Sequence, residues 1–171
     1  GDPALSILGV DADPGALAAL RQQLGLDQSA SARYFNWVAG LVTGDFGTSY
    51  TYRIPVTEMV VPGLAVTIPL ALMAMVLSIA MAMGLGLYAA ANHGRPGDFG
   101  AMIVSQLGIA IPNFWLGLLL ILLFAVSLGW FSAGGFPRWA DGFGPAFKSL
   151  VLPAVALATV QGAILARVVR S

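Results

Sequence analysis

The sequence contains no cysteine, one histidine and few charges: charged side chains make up 9 % of its 171 residues. The lack of cysteine excludes a disulfide framework, thiolate metal ligands and a cysteine nucleophile. His93 alone leaves too few ligands for a histidine-based metal site. The net charge is zero, so no basic field indicates binding to nucleic acid. Since ordinary soluble domains carry about 25 % charged residues, most of this surface is expected to face hydrocarbon or other apolar helices.

Apolar residues make up 58 % of the sequence and are concentrated in three uncharged runs. A helix of about 20 apolar residues is enough to cross a bilayer. We therefore predict an all-α integral membrane protein, with a transmembrane helical domain over residues 62–171. Pro112 is expected to divide the second span in two, whereas Pro62, Pro69 and Pro153 are expected near helix starts, where proline costs least. The predicted spans are 64–92, 101–130 and 149–168, joined by loops 93–98 and 132–148.

The segment before the first span, residues 1–61, holds six of the eight acidic side chains. It is predicted to be a water-exposed segment of helices and loops. Asp13 followed by Pro14 indicates a helix start, because aspartate caps a helix and proline suits its first position. Gly25 is expected to end this helix.

A second helix in this segment is expected to start near Asp27 or Ser29 and to end at Gly44. Its apolar residues follow a helical spacing and form one face. This face either packs against the rest of the protein or lies at the membrane surface. The residues of the face are Tyr34, Trp37, Val38 and Leu41.

Small residues recur at every fourth position in the first and third predicted spans. In lipid there is no hydrophobic driving force for helices to associate, so association depends on van der Waals contact between closely packed backbones. Small residues permit this close approach. We predict that both faces pack against other helices. The alternative is that alanine and glycine recur by chance in so apolar a sequence. The predicted packing residues are Ala74, Ser78, Ala82, Gly86 and Ala90 in the first span and Ala154, Ala158, Gly162 and Ala166 in the third.

Reactive groups are scarce in the apolar runs. No ionisable side chain lies inside a predicted span, which argues against a proton relay and predicts that there is no buried ion pair. No P-loop motif is present, so this chain is not expected to hydrolyse a nucleotide. The sequence therefore assigns no residue to catalysis, to a cofactor or to a metal.

Three amide side chains, Gln106, Asn113 and Gln161, interrupt the apolar runs. Each either hydrogen-bonds a neighbouring helix or lines a polar path. Pro112 frees a backbone carbonyl, and such a break at membrane depth is tolerated only against protein or a watery cavity. The predicted path residues are therefore Pro112, Asn113, Trp115 and Gln161. An aromatic cluster of Trp130, Phe131, Phe136 and Trp139 is expected to mark a membrane interface.

Several segments of the chain form a recognisable series. Residues 108–117 read GIAIPNFWLG, and residues 129–135 read GWFSAGG. These two segments resemble the permease subunits of binding-protein-dependent ABC importers, in the dipeptide/oligopeptide/nickel class. Further segments resemble the same family in the same order, namely 1–4, 24–27, 33–37, 44–49, 152–153 and 164–170.

The resemblance implies a multi-pass protein of a bacterial-type plasma (inner) membrane, with no cofactor in this chain. Residues 1–61 and loop 132–148 would lie outside the cytoplasm, and loop 93–98 and the C-terminus inside. The implied partners are a second permease subunit, two ATPase subunits that hydrolyse ATP, an extracytoplasmic solute-binding protein and the lipid bilayer. Nucleic acid is not among them.

The resemblance also implies a function. The chain would form part of the translocation path for a solute, with peptides expected and nickel- or glutathione-type solutes as alternatives. A non-transport structural or assembly subunit is the alternative outside the family. Both ends of the sequence look cut, so a further transmembrane helix before it and a coupling loop after it are expected. Asp45 and Phe46 are predicted to dock the binding protein.

Overall fold

A computed structural model describes residues 2–9, 12–49 and 51–171. In these residues the regular secondary structure is helical, apart from one isolated antiparallel bridge between Thr48 and Pro55. The contacts divide the chain into two units, residues 1–65 and 66–171. The α-helices are α1 (Pro3–Leu8), α2 (Pro14–Gln23), α3 (Ala30–Thr43), α4 (Val56–Ala91), α5 (Pro96–Ala110), α6 (Asn113–Leu120) and α7 (Phe143–Arg170). A π-helical segment, Ile121–Ser127, continues α6, and a short 3-10 helix, Trp139–Asp141, precedes α7.

The first unit begins with two short helices that are linked by a charged pair. The Asp2 carboxylate caps α1 by accepting a hydrogen bond of 3.0 Å from the backbone N–H of Ala4. The same carboxylate accepts a hydrogen bond of 2.8 Å from Nε of Arg21 in α2. The hydrogen bonds from Arg21 are the main reason that the pKa of Asp2 lies below its usual value. The sequence reasoning did not anticipate α1.

The start of α2 is as the sequence predicts. The Asp13 carboxylate accepts hydrogen bonds from the backbone N–H groups of Gly15 at 2.9 Å and Ala16 at 3.1 Å. It thereby satisfies two donors that have no partner inside the helix. The helix ends at Gln23, and Gly25 adopts a positive φ of 63° in the turn that follows.

Helix α3 is capped at both ends by residues that the sequence singled out. Of the two expected starting points, Ser29 is the cap, and its hydroxyl accepts a hydrogen bond of 3.3 Å from the N–H of Ala32. Gly44 ends the helix in the left-handed conformation, with φ 83°, where glycine carries no steric penalty. Tyr34 and Trp37 of the apolar face are both more than half exposed. The face is therefore available either to pack against another part of the protein or to lie at the membrane surface.

Helix α4 is longer than the sequence predicts. It comprises 36 residues from Val56 to Ala91, a length of about 54 Å, which exceeds the roughly 30 Å hydrocarbon core of a bilayer. The expectation that Pro62 and Pro69 lie near the helix start is wrong, because the helix begins before both of them. A proline in the interior removes one backbone hydrogen bond, and α4 continues through both positions.

The predicted second span is broken at Pro112, as expected, and the break is sharp. The α5 arm and the arm that runs from Asn113 to Ser127 are bent by 97°. Ile111 is extended, with φ −85° and ψ 120°, because a residue that precedes proline is disfavoured in the helical region. Within the described residues, α4 and α7 are each long and apolar enough to cross a membrane, and the bent pair is a third crossing if its arms form one span.

Helix α7 occupies the centre of the second unit. It starts at Phe143 instead of 149, so Pro153 lies inside the helix and not in its first turn as predicted. The last six residues of the predicted loop 132–148 are therefore helical. The predicted tight loop 93–98 is also shorter, because α5 already begins at Pro96. Gly94, with φ 72°, makes the turn between α4 and α5.

Candidate functional site

A groove of about 480 Å³ runs between α4, the start of α6 and α7. Its walls are mostly apolar, with Met75 and Ile79 from α4 and Leu157 and Leu165 from α7. The side chains of Asn113 and Gln161 both line it. The tertiary structure thus brings together two amides that are far apart in the sequence.

The two amides are positioned by different local features. Asn113 is the first residue of α6, immediately after Pro112, which is the N-cap residue of that helix. Gln161 lies on the exposed side of α7, next to the buried Gly162. In the part of the chain that the structure describes, neither amide side chain hydrogen-bonds a neighbouring helix. Each amide can donate and accept hydrogen bonds, so the pair offers a polar patch in an otherwise apolar groove.

The other predicted path residues are placed differently. Pro112 and Trp115 do not line this groove, and the Trp115 side chain is 48 % exposed. Gln106 is exposed on α5 and also lies outside the groove. Pro112 nevertheless lies at the bend, immediately before Asn113.

The small residues predicted for packing form two faces that meet. The structure buries Ser78, Ala82 and Gly86 of α4 and leaves Ala74 and Ala90 half-buried. It buries the entire predicted set of α7, which comprises Ala154, Ala158, Gly162 and Ala166.

Two glycines mark the closest approach of α4 and α7. A methyl group added to Gly86 would stand 2.6 Å from Cβ of Val169 and 2.8 Å from the carbonyl oxygen of Ala166. A methyl group added to Gly162 would stand 3.0 Å from Cβ of Met81. The backbones approach this closely because glycine has no side chain.

A third small-residue face, on α5, was missed by the sequence reasoning. Ala101, Ser105 and Gly108 are buried there, and a methyl group on Gly108 would stand 3.1 Å from Cβ of Ala163 in α7. Their spacing of four and three residues is itself the signal of one helix face. Ser105 is fully buried, and its hydroxyl has no hydrogen-bond partner among the described residues.

An ion pair with a buried carboxylate joins the start of α5 to the end of α7. Asp98 is 2 % exposed. Its Oδ1 accepts a hydrogen bond of 2.5 Å from Nε of Arg170, and its Oδ2 accepts one of 2.7 Å from Nη2. The prediction of no buried ion pair missed this contact, in which the carboxylate is buried and the Arg170 side chain is 30 % exposed. Both residues lie just outside the predicted spans, and no local pattern connects positions that are 72 residues apart.

The aromatic residues after the π-helical segment gather into two groups. Trp130 and Phe131 both contact Phe124, with ring centres 5.8 and 6.3 Å away. Phe136 contacts Trp139 at 5.4 Å. A cavity of about 550 Å³ lies beside the loop formed by residues 129–137. The Lys148 ammonium stands over the Phe131 ring, 5.4 Å from its centre, in the range of a cation–π contact.

In the first unit, Asp45 and Phe46 lie in the loop after α3. The Asp45 carboxylate accepts a hydrogen bond of 2.9 Å from the N–H of Gly47, which fixes the turn. The Phe46 side chain is 40 % exposed. Asp45 therefore shapes this loop, and Phe46 offers apolar surface on it.

Comparisons with known proteins cover the whole chain. Residues 82–171 match the family described as binding-protein-dependent transport system inner membrane component. Residues 1–71 match the N-terminal part of the membrane component of the same systems. A peptide transport system permease protein of Brucella suis biovar 1 is 38 % identical over all 171 residues, which is 54 % of its own length.

Two further relatives match shorter parts of the chain. A dipeptide transport system permease protein of Alkalihalophilus pseudofirmus is 42 % identical over 74 residues, which is 43 % of this chain and 22 % of the relative. A glutathione transport system permease protein of Salmonella typhimurium is 47 % identical over 58 residues, 34 % of this chain and 19 % of the relative. The chain spans about half the length of the relative that it matches from end to end. With its apolar helices and both family matches, this chain belongs to the family of inner membrane components of binding-protein-dependent transport systems.

Proposed function

We propose that this chain is part of a permease subunit of an ABC importer in a bacterial-type inner membrane. The family match supports this proposal most directly, because the family comprises membrane components of binding-protein-dependent transport systems. In the proposed assembly, a second permease subunit completes the path, two ATPase subunits hydrolyse ATP, and a solute-binding protein delivers the solute. This chain supplies path-lining and packing helices and no catalytic group.

The proposed solute is a peptide. The relative that matches the chain from end to end is named a peptide transport permease, and a second relative is named a dipeptide transport permease. Glutathione is the second candidate, because the relative with the highest identity of the three compared is named a glutathione transport permease. All of these solutes carry amide groups, which hydrogen-bond well to amide side chains.

The groove that contains Asn113 and Gln161 is the proposed contact between this chain and the solute. Its apolar walls suit the side chains of varied peptides, and its two amides offer hydrogen bonds to a peptide backbone. A weak and adaptable site of this kind also permits release, which transport requires.

Uptake measurements test the proposal. The full-length permease is reconstituted with its partner subunits and binding protein in liposomes, and ATP-dependent uptake of labelled dipeptides, longer peptides and glutathione is compared. Replacing Asn113 and Gln161 together by alanine is expected to lower uptake, while Gln106→Ala, which removes an exposed amide outside the groove, leaves it unchanged. If the wild-type complex takes up none of these solutes, the proposed solute class is wrong. If the double variant and Gln106→Ala behave alike, the groove is not the contact.

The loop after α3 is the proposed docking surface for the binding protein. Phe46→Ala is expected to weaken the affinity of the purified binding protein for the full-length complex. Val42→Ala, which removes another exposed apolar side chain from the preceding helix, is the control. Equal affinity of both variants would argue against docking at this loop.

A further inference from the structure

The Asp98 carboxylate accepts three hydrogen bonds, two from the Arg170 guanidinium and one from the backbone. Both carboxylate oxygens of Asp98 accept from the guanidinium, and Oδ2 also accepts a hydrogen bond of 2.9 Å from the backbone N–H of Gly94. A two-pronged arginine–carboxylate contact is directional as well as strong. Each charge also suits its helix end, since anions favour the start of a helix and cations favour its end.

The other charges near the pair do not compete for it. His93 approaches Asp98 with its Nδ1 at 3.9 Å, but its side chain is 72 % exposed. Arg95 and Arg167 are exposed near the same helix ends. Asp141, the other acid described after residue 66, pairs with Arg138 before the start of α7. Arg170 is therefore the cation committed to the buried carboxylate.

The ion pair closes one end of a continuous contact between α5 and α7. Asp98 faces Arg170, and ten residues further along α5, Gly108 faces Ala163 and Thr159 of α7. The two helices therefore run antiparallel along this face. Between these two points the buried residues of α5 are Ala101 and Ser105, whose small side chains allow close van der Waals contact between helices.

The far end of the same contact adjoins the bend. Gly108 is followed within one turn by Ile111 and Pro112, where α5 stops and the chain bends by 97° into the next arm. Proline has no N–H, so the backbone hydrogen-bond ladder is interrupted at this point. Asn113, which lines the groove, is the next residue.

We propose that Asp98 and Arg170 are positioning residues that lock α5 to the C-terminal half of α7, so that a displacement of the Arg170 end of α7 is delivered to the bend at Pro112. This inference rests on the proposed transport function. Without the ion pair, a displaced α7 end separates from α5 at the small-residue face. With it, the two helices move as one body, and the movement is absorbed where the backbone is already interrupted.

The test compares ATP hydrolysis with solute uptake in the full-length complex in liposomes. Asp98→Asn removes the charge of the carboxylate, and Arg170→Lys keeps a positive charge but loses the planar fork. We expect both variants to hydrolyse ATP when the binding protein is present. We also expect uptake per ATP to fall by about tenfold in Asp98→Asn, within the range typical of coupling between two sites, and to fall less in Arg170→Lys. Arg138→Gln, which breaks the exposed ion pair before α7, is the control and leaves the ratio unchanged.

A covalent link between α5 and α7 distinguishes a role of the ion pair in coupling ATP hydrolysis to uptake from a role in the stability of the protein alone. This chain has no cysteine, so cysteines at positions 98 and 170, in a complex made otherwise cysteine-free, can be bridged by a short bis-maleimide. The double-cysteine variant is expected to show low uptake per ATP before it is bridged. Bridging is expected to raise this ratio back towards the wild-type value. If Asp98→Asn fails to assemble, the ratio of uptake to ATP hydrolysis in Arg170→Lys and in the bridged double-cysteine variant tests the same inference.

Two results would overturn the inference. One is a normal ratio of uptake to ATP in Asp98→Asn and Arg170→Lys. The other is a bridged pair that stays as poorly coupled as the unbridged one. Failure of the wild-type complex to take up any solute would instead contradict the proposed function, so the two failures are distinguishable.

Discussion

The substitution Gly86→Ala tests a close contact between α4 and α7. The added methyl group would stand 2.6 Å from Cβ and 2.7 Å from Cγ1 of Val169, and 2.8 Å from the carbonyl oxygen of Ala166. Ordinary carbon–carbon contact distances are about 3.5–4.0 Å. Because two of the obstructing atoms belong to a β-branched side chain near its backbone and one to the backbone itself, no rotamer change removes the clash.

The size of the effect follows from this geometry. To restore ordinary contact, α4 and α7 have to separate by about 1 Å at this point. Inserting a carbon into a well-packed contact typically costs about 1–3 kcal/mol. Gly84 provides a matched control in the same helix, because a methyl group added there meets nothing within 4 Å. Gly84→Ala is expected to be neutral or to stabilise the helix by about 0.5–1 kcal/mol.

The measurement is the unfolding free energy of the full-length permease in mixed micelles, titrated with a denaturing detergent. Gly86→Ala is expected to unfold at a lower denaturant fraction than the wild type, and the two alanine variants to differ by roughly 1–4 kcal/mol. If both variants unfold at the same fraction, α4 and α7 do not pack at Gly86, and the account of the small-residue faces is wrong.

Three further predictions concern local features. Pro112→Ala restores a backbone N–H and is expected to open the bend. The distance between spin labels at exposed positions of α5 and α6 is then expected to increase. An unchanged distance would show that packing alone sets the bend. Asp13→Ala removes the α2 cap at a cost of about 1 kcal/mol, seen as faster amide exchange in the first turn of α2 and nowhere else. Arg21 keeps the pKa of Asp2 low, so the stabilisation from this ion pair is complete above the unfolded value of about 3.9 and is lost as the pH falls through the lowered pKa. The protection factors of the α1 amides, which correct for the intrinsic exchange rate at each pH, should fall only under those acidic conditions.

Helix ends that depend on local chemistry were predictable from the sequence. Asp13, Ser29 and Gly44 act through their own side chains or their own φ within three residues of the helix end, so a short stretch of sequence suffices to identify them. The membrane class was equally accessible, since it depends on composition and on the length of uncharged runs.

Helix starts in the apolar part were less predictable. Both α4 and α7 begin several residues before the uncharged runs suggested, which puts Pro62 and Pro153 inside helices. A proline is only a weak marker of a helix start, because neighbouring helices and water can satisfy the backbone group that it frees. An uncharged apolar run therefore shows where a transmembrane helix lies but does not show at which residue the helix begins or ends.

By itself, the sequence determined that this chain is helical, lies in a membrane and resembles a transport permease, because these properties depend on composition, spacing and short segments. It also identified small residues on α4 and α7, but not the helices that they contact. Only the tertiary structure decided that these two faces meet each other, that Asn113 and Gln161 share a groove, and that Asp98 pairs with Arg170. Each of these pairings joins residues far apart in the chain, and no local rule of hydrophobicity or capping specifies a partner at that distance.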